Sequence, residues 1–283
     1  MPELPEVEIT CRGIRPHVEG RTLTAVVVRN PALREPVAAD LAERLEGTNL
    51  VQVGRRAKYL LLDFARDALV GDPSGMSSLL VHLGMSGSLR IVDVVEPAGG
   101  HDHIDLVFGA TALRLCDPRR FGLMSWRPGP AIAHPRLARL GPEPLAATFD
   151  GEYLHQVSQG RHTPIKHLLM DAHKVVGVGN IYASESLFRA RIHPLTPAGQ
   201  IDLASCARLA REIKATLDAA IVAGGSTLRD FVGSDGKPGY FQQQYFVYGR
   251  VGEPCRICGG VIERIVSAQR STFFCPHCQK YPR

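Results

Sequence analysis

Two cysteine pairs, Cys255-Arg-Ile-Cys258 and Cys275-Pro-His-Cys278, lie near the end of the chain with sixteen residues between them. Four thiolates in two such knuckles close a tetrahedral zinc site with no open coordination position, so the single ion they imply is structural rather than catalytic. That commits the C-terminal stretch to a small metal-stapled finger. Between the knuckles, residues 261 to 266 and 272 to 274 read as two strands joined near 267 to 271. Arg270 then rides at or beside the tip of a hairpin, a place that suits a DNA groove or a phosphate and equally a plain exposed arginine. His277 lies between ligands and is not expected to be one. The other cysteines, Cys11, Cys116 and Cys206, are scattered along the chain. Such spacing fits a reducing cytoplasm rather than a disulfide framework. No secretory core and no apolar run long enough to span a bilayer is present.

The opposite end carries reactive chemistry. The chain begins Met1-Pro2-Glu3-Leu4-Pro5-Glu6-Val7-Glu8. Removal of Met1, which a small second residue favours, leaves proline at the terminus as a secondary amine. An α-amino group titrates near pH ~8, against ~10.4 for a lysine side chain, so much more of it is unprotonated at neutral pH. Such an amine can attack an aldehyde-like sugar carbon and form an iminium. Glu3, next to it, can supply or accept the protons that step needs. The plainer reading is that Pro2 and Pro5 only start a helix, since proline suits a first helical turn.

The 283 residues carry a formal charge of +5, and 27 of the 33 basic residues are arginines. Arginine dominance suits phosphate and base contacts. The apolar positions Leu4, Val7, Cys11, Ile14 and Val18 predict a helix with one buried face, bent or ended by Pro16. Strands are expected over 22 to 29, 51 to 64 (one or two, bent near Gly54), 79 to 82, 88 to 92, 104 to 108 and 113 to 116, with a short helix around 40 to 45. Lys58 falls within the 51 to 64 run, among residues apolar on both faces. There a charge is expensive unless it works or snorkels to the surface. Gly84-Met85-Ser86-Gly87 reads as a tight turn that either presents Met85 or packs it. His101-Asp102-His103 is a His-x-His pair without an obvious third metal ligand, so a phosphate contact or a core role suits it better. In Asp117-Pro118-Arg119-Arg120-Phe121-Gly122, two arginines beside an aromatic either neutralise phosphate and wedge into a base stack or form a solvated turn with Phe121 packed inward.

Residues 2 to 130 thus read as a β-rich domain and the Pro-rich stretch 131 to 150 as a linker. A helical domain follows over 151 to 247 and the finger over 248 to 283. Within the helical part, Val175-Val176-Gly177-Val178-Gly179-Asn180 is a glycine-punctuated turn, with Asn180 in the N-cap position of the next helix. A helix start behind such a turn offers backbone donors to a phosphate. Residues 203 to 223 predict a long amphipathic helix, and 224 to 240 a Gly-rich loop that either covers a substrate or is inert.

Taken together these stretches resemble bacterial formamidopyrimidine-DNA glycosylases. The segments are PELPEVE, RRAKYLL, HLGMSG, HDHIDLV, DPRRFG, LGPEPL, GVGNIYASESLF, SDGKPGY and AQRSTFFC, in order over nearly the whole chain. The resemblance implies an α+β multidomain fold: an N-terminal β-sandwich with flanking helices, a helix–two-turns–helix domain and a four-cysteine zinc finger. It implies a monomer acting on double-stranded DNA that carries oxidised purines, one zinc ion, no organic cofactor, no membrane, and a bacterial cytoplasmic setting at the nucleoid. Pro2 then corresponds to the Schiff-base nucleophile, Glu3 to its proton donor, Lys58 to the lysine assisting β-elimination and Arg270 to the arginine linked to δ-elimination. His101, Arg119 and Arg161 fall at DNA-contacting positions. Met85, Arg119 and Phe121 match the trio that fills the gap left by a flipped base, and Asn180 matches a phosphate contact. The Arg161 segment, Gln159-Gly160-Arg161-His162, departs from the family's lysine-rich run, and the 65 to 78 loop is longer than usual. The alternatives are an endonuclease VIII-like enzyme for oxidised pyrimidines and a zinc-finger protein that binds DNA without catalysis.

Overall fold

The structure is a computed structural model, and it describes residues 1–66, 75–226 and 241–282. It comprises two compact units, one of residues 1–139 with 223–240, the other of residues 140–222 with 241–283.

The first unit opens with helix α1 (Leu4–Val18), whose residues Leu4, Val7, Cys11, Ile14 and Val18 are all buried. Of the two effects expected of Pro16, it does not end the helix, which runs on to Val18. Ile14 and Val18 are anchored in the core on either side of the proline, and burial of both outweighs the one missing backbone donor. Strand β1 (Ala25–Val28) and helix α2 (Leu41–Leu45) follow. The remaining strands are β2 (Asn49–Arg56), β3 (Tyr59–Ala65), β4 (Met76–His82), β5 (Ser88–Asp93), β6 (Asp102–Phe108), β7 (Thr111–Cys116) and β8 (Leu123–Pro128). They form two antiparallel four-stranded sheets, ordered β2-β3-β4-β8 and β1-β6-β7-β5.

The core lies between these sheets and is built by period-two alternation. Leu60, Leu62 and Phe64 of β3 and Leu79 and Val81 of β4 join Ile104, Leu106 and Phe108 of β6 and Leu113 and Leu115 of β7 in one buried cluster, which α1 closes. This is the expected β-sandwich. On the outer side of β6 and β7, Arg114 and Asp105 are buried as a bidentate pair at 2.9 Å, which Arg29 joins.

The second unit holds α3 (Gly151–Ser158), α4 (Ile165–Met170), α5 (Asn180–Arg189) and α6 (Leu203–Val222). Asp150 caps α3 through its side chain, which accepts the Tyr153 N–H at 2.8 Å. Between α4 and α5 the chain makes two turns, over 171–174 and 176–178, the second with Gly177 at φ 77°. The finger contributes a hairpin of β9 (Glu263–Ser267) and β10 (Arg270–Phe274). Its core, Phe188, Val247, Ile262 and Phe273, is continuous with Cys255 and Cys275. Among the described residues no helix is long and apolar enough to cross a membrane.

Candidate functional site

Glu3 precedes α1 and is 2% exposed. Its N–H donates to Glu6 Oε2 at 2.9 Å, and its carboxylate faces the Glu6 N–H, a reciprocal capping box. Pro2, immediately before it, is buried as well. Both ends of the Glu6 carboxylate are used, for Oε1 accepts the Ser226 N–H at 2.8 Å. The segment that Ser226 begins runs into SDGKPGY, which lies outside the described residues, as does most of the long loop at 65 to 78.

In front of the N-terminus is a concavity of about 330 Å³, lined by Met1, Arg34, His82, Gly84, Met85 and Phe121. It joins the turn after β4 and the turn after β7 to the start of the chain. Met85 and Phe121 are 42% and 46% exposed, and both line this concavity. The Arg119 guanidinium sits 4.9 Å from the centre of the Phe121 ring. Of the readings left open for these two turns, the structure takes the one in which both present their apolar residues.

Lys58 is not in a strand centre. β2 and β3 are separate strands joined by the two-residue turn Ala57-Lys58, with Ala57 at φ 55°. The charge is thereby placed at a hairpin end, where it need not be buried. Its influence reaches His82, whose pKa is pushed down to about 4, first by burial and then by Lys58 and Arg34. At neutral pH this histidine is uncharged. Nδ1 accepts the Gly84 N–H at 3.0 Å, so Nε2 carries the proton. His82 was not singled out in the sequence, where it looked like the end of an apolar strand.

The histidine pair divides between two roles. His103 is buried, and its Nε2 donates to the Asp117 carbonyl at 2.8 Å. His101 is exposed, and its carbonyl accepts the Asp117 N–H at 3.0 Å. The loop leading to His101 is held from below, since Arg114 Nη2 donates to the Glu96 carbonyl at 3.0 Å.

In the second unit Asn180 is not the cap of α5. Gly179 takes that position and Asn180 is the first helical residue. Its side chain points instead to a buried lysine: Lys166 Nζ donates to Asn180 Oδ1 at 2.6 Å and to Thr272 Oγ1 at 2.7 Å. Asn180 Nδ2 donates to the Ser271 carbonyl at 3.0 Å. A lysine can only donate, so it settles which end of the amide is the acceptor. The same contacts join α4 and α5 to β10 beside Arg270. Arg270 is exposed and pairs with Ser267 across the turn Ala268-Gln269, whose φ values of 47° and 58° make a type I′ hairpin. Glu185, fully within α5, accepts the N–H groups of Phe246, Val247 and Tyr248 at 2.8 to 3.0 Å. Arg161 lies exposed after α3, its Nε donating to the Val157 carbonyl at 2.6 Å. Sequence reasoning missed Lys166 and Glu185; each looks like a helix residue until the segment it holds is known.

The four cysteine sulfurs lie within 4.8 Å of one another, the one such cluster of His, Cys, Asp or Glu among the described residues. Cys258 and Cys275 are 3.5 Å apart and Cys255 and Cys278 3.9 Å. Sulfurs at 2.3 Å from a tetrahedral zinc would be about 3.8 Å apart, so the set fits one zinc ion. The Gly260 amide leads in drawing the Cys258 thiol down to about 6. Gln279 buttresses the site, accepting the Cys275 N–H at 2.9 Å and donating to the Ile192 carbonyl at 2.8 Å. His277 is exposed and stands outside the tetrad.

Comparison with known proteins matches three family models in succession. Residues 1–124 match the formamidopyrimidine-DNA glycosylase N-terminal domain, 140–232 its H2TH domain, and 252–280 the zinc finger found in FPG and IleRS. The formamidopyrimidine-DNA glycosylase of Aromatoleum aromaticum is 66% identical over 280 residues, covering 99% of this chain and 100% of the relative. That of Cupriavidus pinatubonensis is 54% identical over 287 residues, with the same coverage. Among solved structures, the MutM (FPG) protein from Thermus thermophilus superposes with a TM-score of 0.85 at 41% identity, over 100% of both chains. A Lactococcus lactis FPG in complex with an abasic-site DNA superposes at 0.88 with 31% identity, over 98% of this chain and 99% of that one. The chain belongs to the formamidopyrimidine-DNA glycosylase family.

Proposed function

We propose that this protein excises oxidised purines, 8-oxoguanine and formamidopyrimidines, from duplex DNA and then cuts the strand at the resulting sugar. The observation that carries the reading is the concavity at the N-terminus. Met1 lines it beside Met85 and Phe121, and Pro2 and the buried Glu3 follow directly behind. Loss of Met1 turns the Pro2 nitrogen into a secondary amine next to that space. The amine attacks the sugar C1′ of an everted nucleotide, and the bond from C1′ to the base breaks as the base leaves with the electron pair and a proton. The C1′–O4′ bond of the resulting aminal then opens, O4′ taking the electron pair and a proton, and the iminium left at C1′ acidifies C2′. Loss of a C2′ proton expels the 3′ phosphate, and a second elimination expels the 5′ phosphate. Glu3 exchanges protons around C1′, Lys58 supplies charge and proton transfer during β-elimination, and Arg270 serves the second elimination from the finger.

Eversion costs a few kcal/mol, least for a damaged base. Met85, Arg119 and Phe121 offset it by filling the vacancy. His101, Arg161 and Asn180 hold the DNA backbone, the zinc ion on Cys255, Cys258, Cys275 and Cys278 supports the hairpin, and the protein works as a monomer on the bacterial chromosome in the cytoplasm. Borohydride trapping on an 8-oxoguanine·cytosine duplex tests the reading. Protein confirmed by mass to begin at Pro2 is expected to give a covalent adduct that Pro2→Gly loses. No adduct from zinc-loaded, Met1-free protein would refute it. Adduct on thymine glycol in place of 8-oxoguanine would reassign the substrate to oxidised pyrimidines.

A further inference from the structure

The side chains assigned to the vacated stack sit on two separate turns, and a buried carboxylate joins those turns. Asp117 is 0% exposed. Its Oδ1 accepts the Ser86 hydroxyl at 2.9 Å and its Oδ2 accepts the Gly122 N–H at 2.7 Å. Ser86 Oγ in turn accepts the Arg119 N–H at 3.2 Å. Ser86 follows Met85, and Gly122 follows Phe121. The turns also touch backbone to backbone, for a Cβ placed on Gly84 would lie 2.5 Å from the Phe121 carbonyl carbon. A Cβ on Gly122 would lie 2.8 Å from Asp117 Oδ2. The Asp117 main chain completes the assembly through the His101 carbonyl and His103 Nε2.

We propose that Asp117 is a positioning residue for base eversion. Its carboxylate locks the turn bearing Met85 and the turn bearing Arg119 and Phe121 into one block, so the three side chains enter the DNA together and already ordered. A turn that must be ordered on insertion spends binding free energy, and two at once would cancel much of what filling the vacancy returns. The inference rests on the assignment of Met85, Arg119 and Phe121 to the vacated stack, and the test separates the two.

Single-turnover excision from an 8-oxoguanine·cytosine duplex is compared with nicking of a duplex holding a preformed abasic site, where the stack is already broken. Eversion is followed by 2-aminopurine fluorescence beside the lesion. Asp117→Ala is expected to slow excision about tenfold to a hundredfold, with the fluorescence step slowed in parallel, while abasic-site nicking falls less than about threefold. Asp117→Asn is expected to restore most of the loss, because its carbonyl can take the Gly122 N–H and its NH2 can donate to Ser86 Oγ. Ser86→Ala, which cuts only the link between the turns, should reproduce the alanine defect in milder form and carries the test if Asp117→Ala does not fold. Equal losses on both substrates, or undiminished excision, would overturn the role. Phe121→Ala excising at the parental rate would instead refute the assignment of the trio itself.

Discussion

Lys166→Met separates orientation from charge at the second unit's candidate phosphate contact. Lys166 is 2% exposed, and its ammonium is directed at three acceptors: Asn180 Oδ1 at 2.6 Å, Thr272 Oγ1 at 2.7 Å and the Ser271 carbonyl at 3.3 Å. Methionine matches the length of the side chain and removes every donor. Hydrogen bonds from a charged group contribute roughly 1.5–3 kcal/mol each. Against two good ones stands the relief of no longer desolvating an ammonium, several kcal/mol by itself. The two nearly cancel, so stability should fall by only about 2 kcal/mol, or about 4–8 °C in Tm for a chain of this size. Binding should suffer more selectively. Without the lysine the Asn180 amide keeps its Nδ2 bond to the Ser271 carbonyl but loses the donor that fixes Oδ1, and the loosened bond to a phosphate costs about tenfold to a hundredfold in Kd.

The assay is titration of a tetrahydrofuran-site duplex at several salt concentrations. A residue that neutralises a phosphate itself changes the slope of log K against log salt by about 0.9; one that only orients a neighbour leaves it unchanged. Weaker binding at constant slope is the expected result. A slope lowered by one unit would show that Lys166 is itself the phosphate contact and refute the argument, as would unchanged affinity.

Two further outcomes follow from the site. The His82 pKa is lowered from 6.5 to about 4, so the unfolded chain takes up this proton before the folded one does. The stability it contributes is present above pH 6.5 and drains away as pH falls toward 4, on the order of 3 kcal/mol across that window. Urea unfolding of the parent and His82→Asn at pH 7 and pH 5 should show the parent losing about 2 kcal/mol more than the variant, and equal losses would contradict the assignment. Removing the zinc by chelation, or Cys258→Ser, should release the hairpin that carries Arg270. Lesion-DNA affinity should then collapse, while the sandwich, whose core shares no residue with the finger, keeps its own melting transition. A single unchanged transition with full DNA binding would refute a structural zinc.

Local pattern accounts for the parts that were legible in the sequence. The buried face of α1 is written in Leu4, Val7, Cys11, Ile14 and Val18, and β6 and β7 in alternating apolar residues that also face each other in the core. β8 carried no such pattern, because Leu123–Pro128 buries only its first two residues and is recruited by pairing with β4. The register of Lys58 was misjudged for a similar reason. A stretch flanked by apolar residues on both sides conceals a two-residue turn when the turn position is an alanine at positive φ rather than a glycine.

By itself the sequence determined the zinc tetrad, the candidate nucleophile at the terminus and the alternation of a sandwich, since each depends on residues a few positions apart or on chemistry intrinsic to a side chain. The tertiary structure alone decided what Asp117, Lys166, Glu6 and His82 do. Ser86 and Asp117 are separated by 31 positions, Lys166 and Thr272 by 106, and Glu6 and Ser226 by 220. Whether a buried charge finds its partner, and whether a histidine stays neutral, is settled by desolvation and by which distant donor or acceptor arrives beside it. That is a property of the packed chain, and no local spacing encodes it.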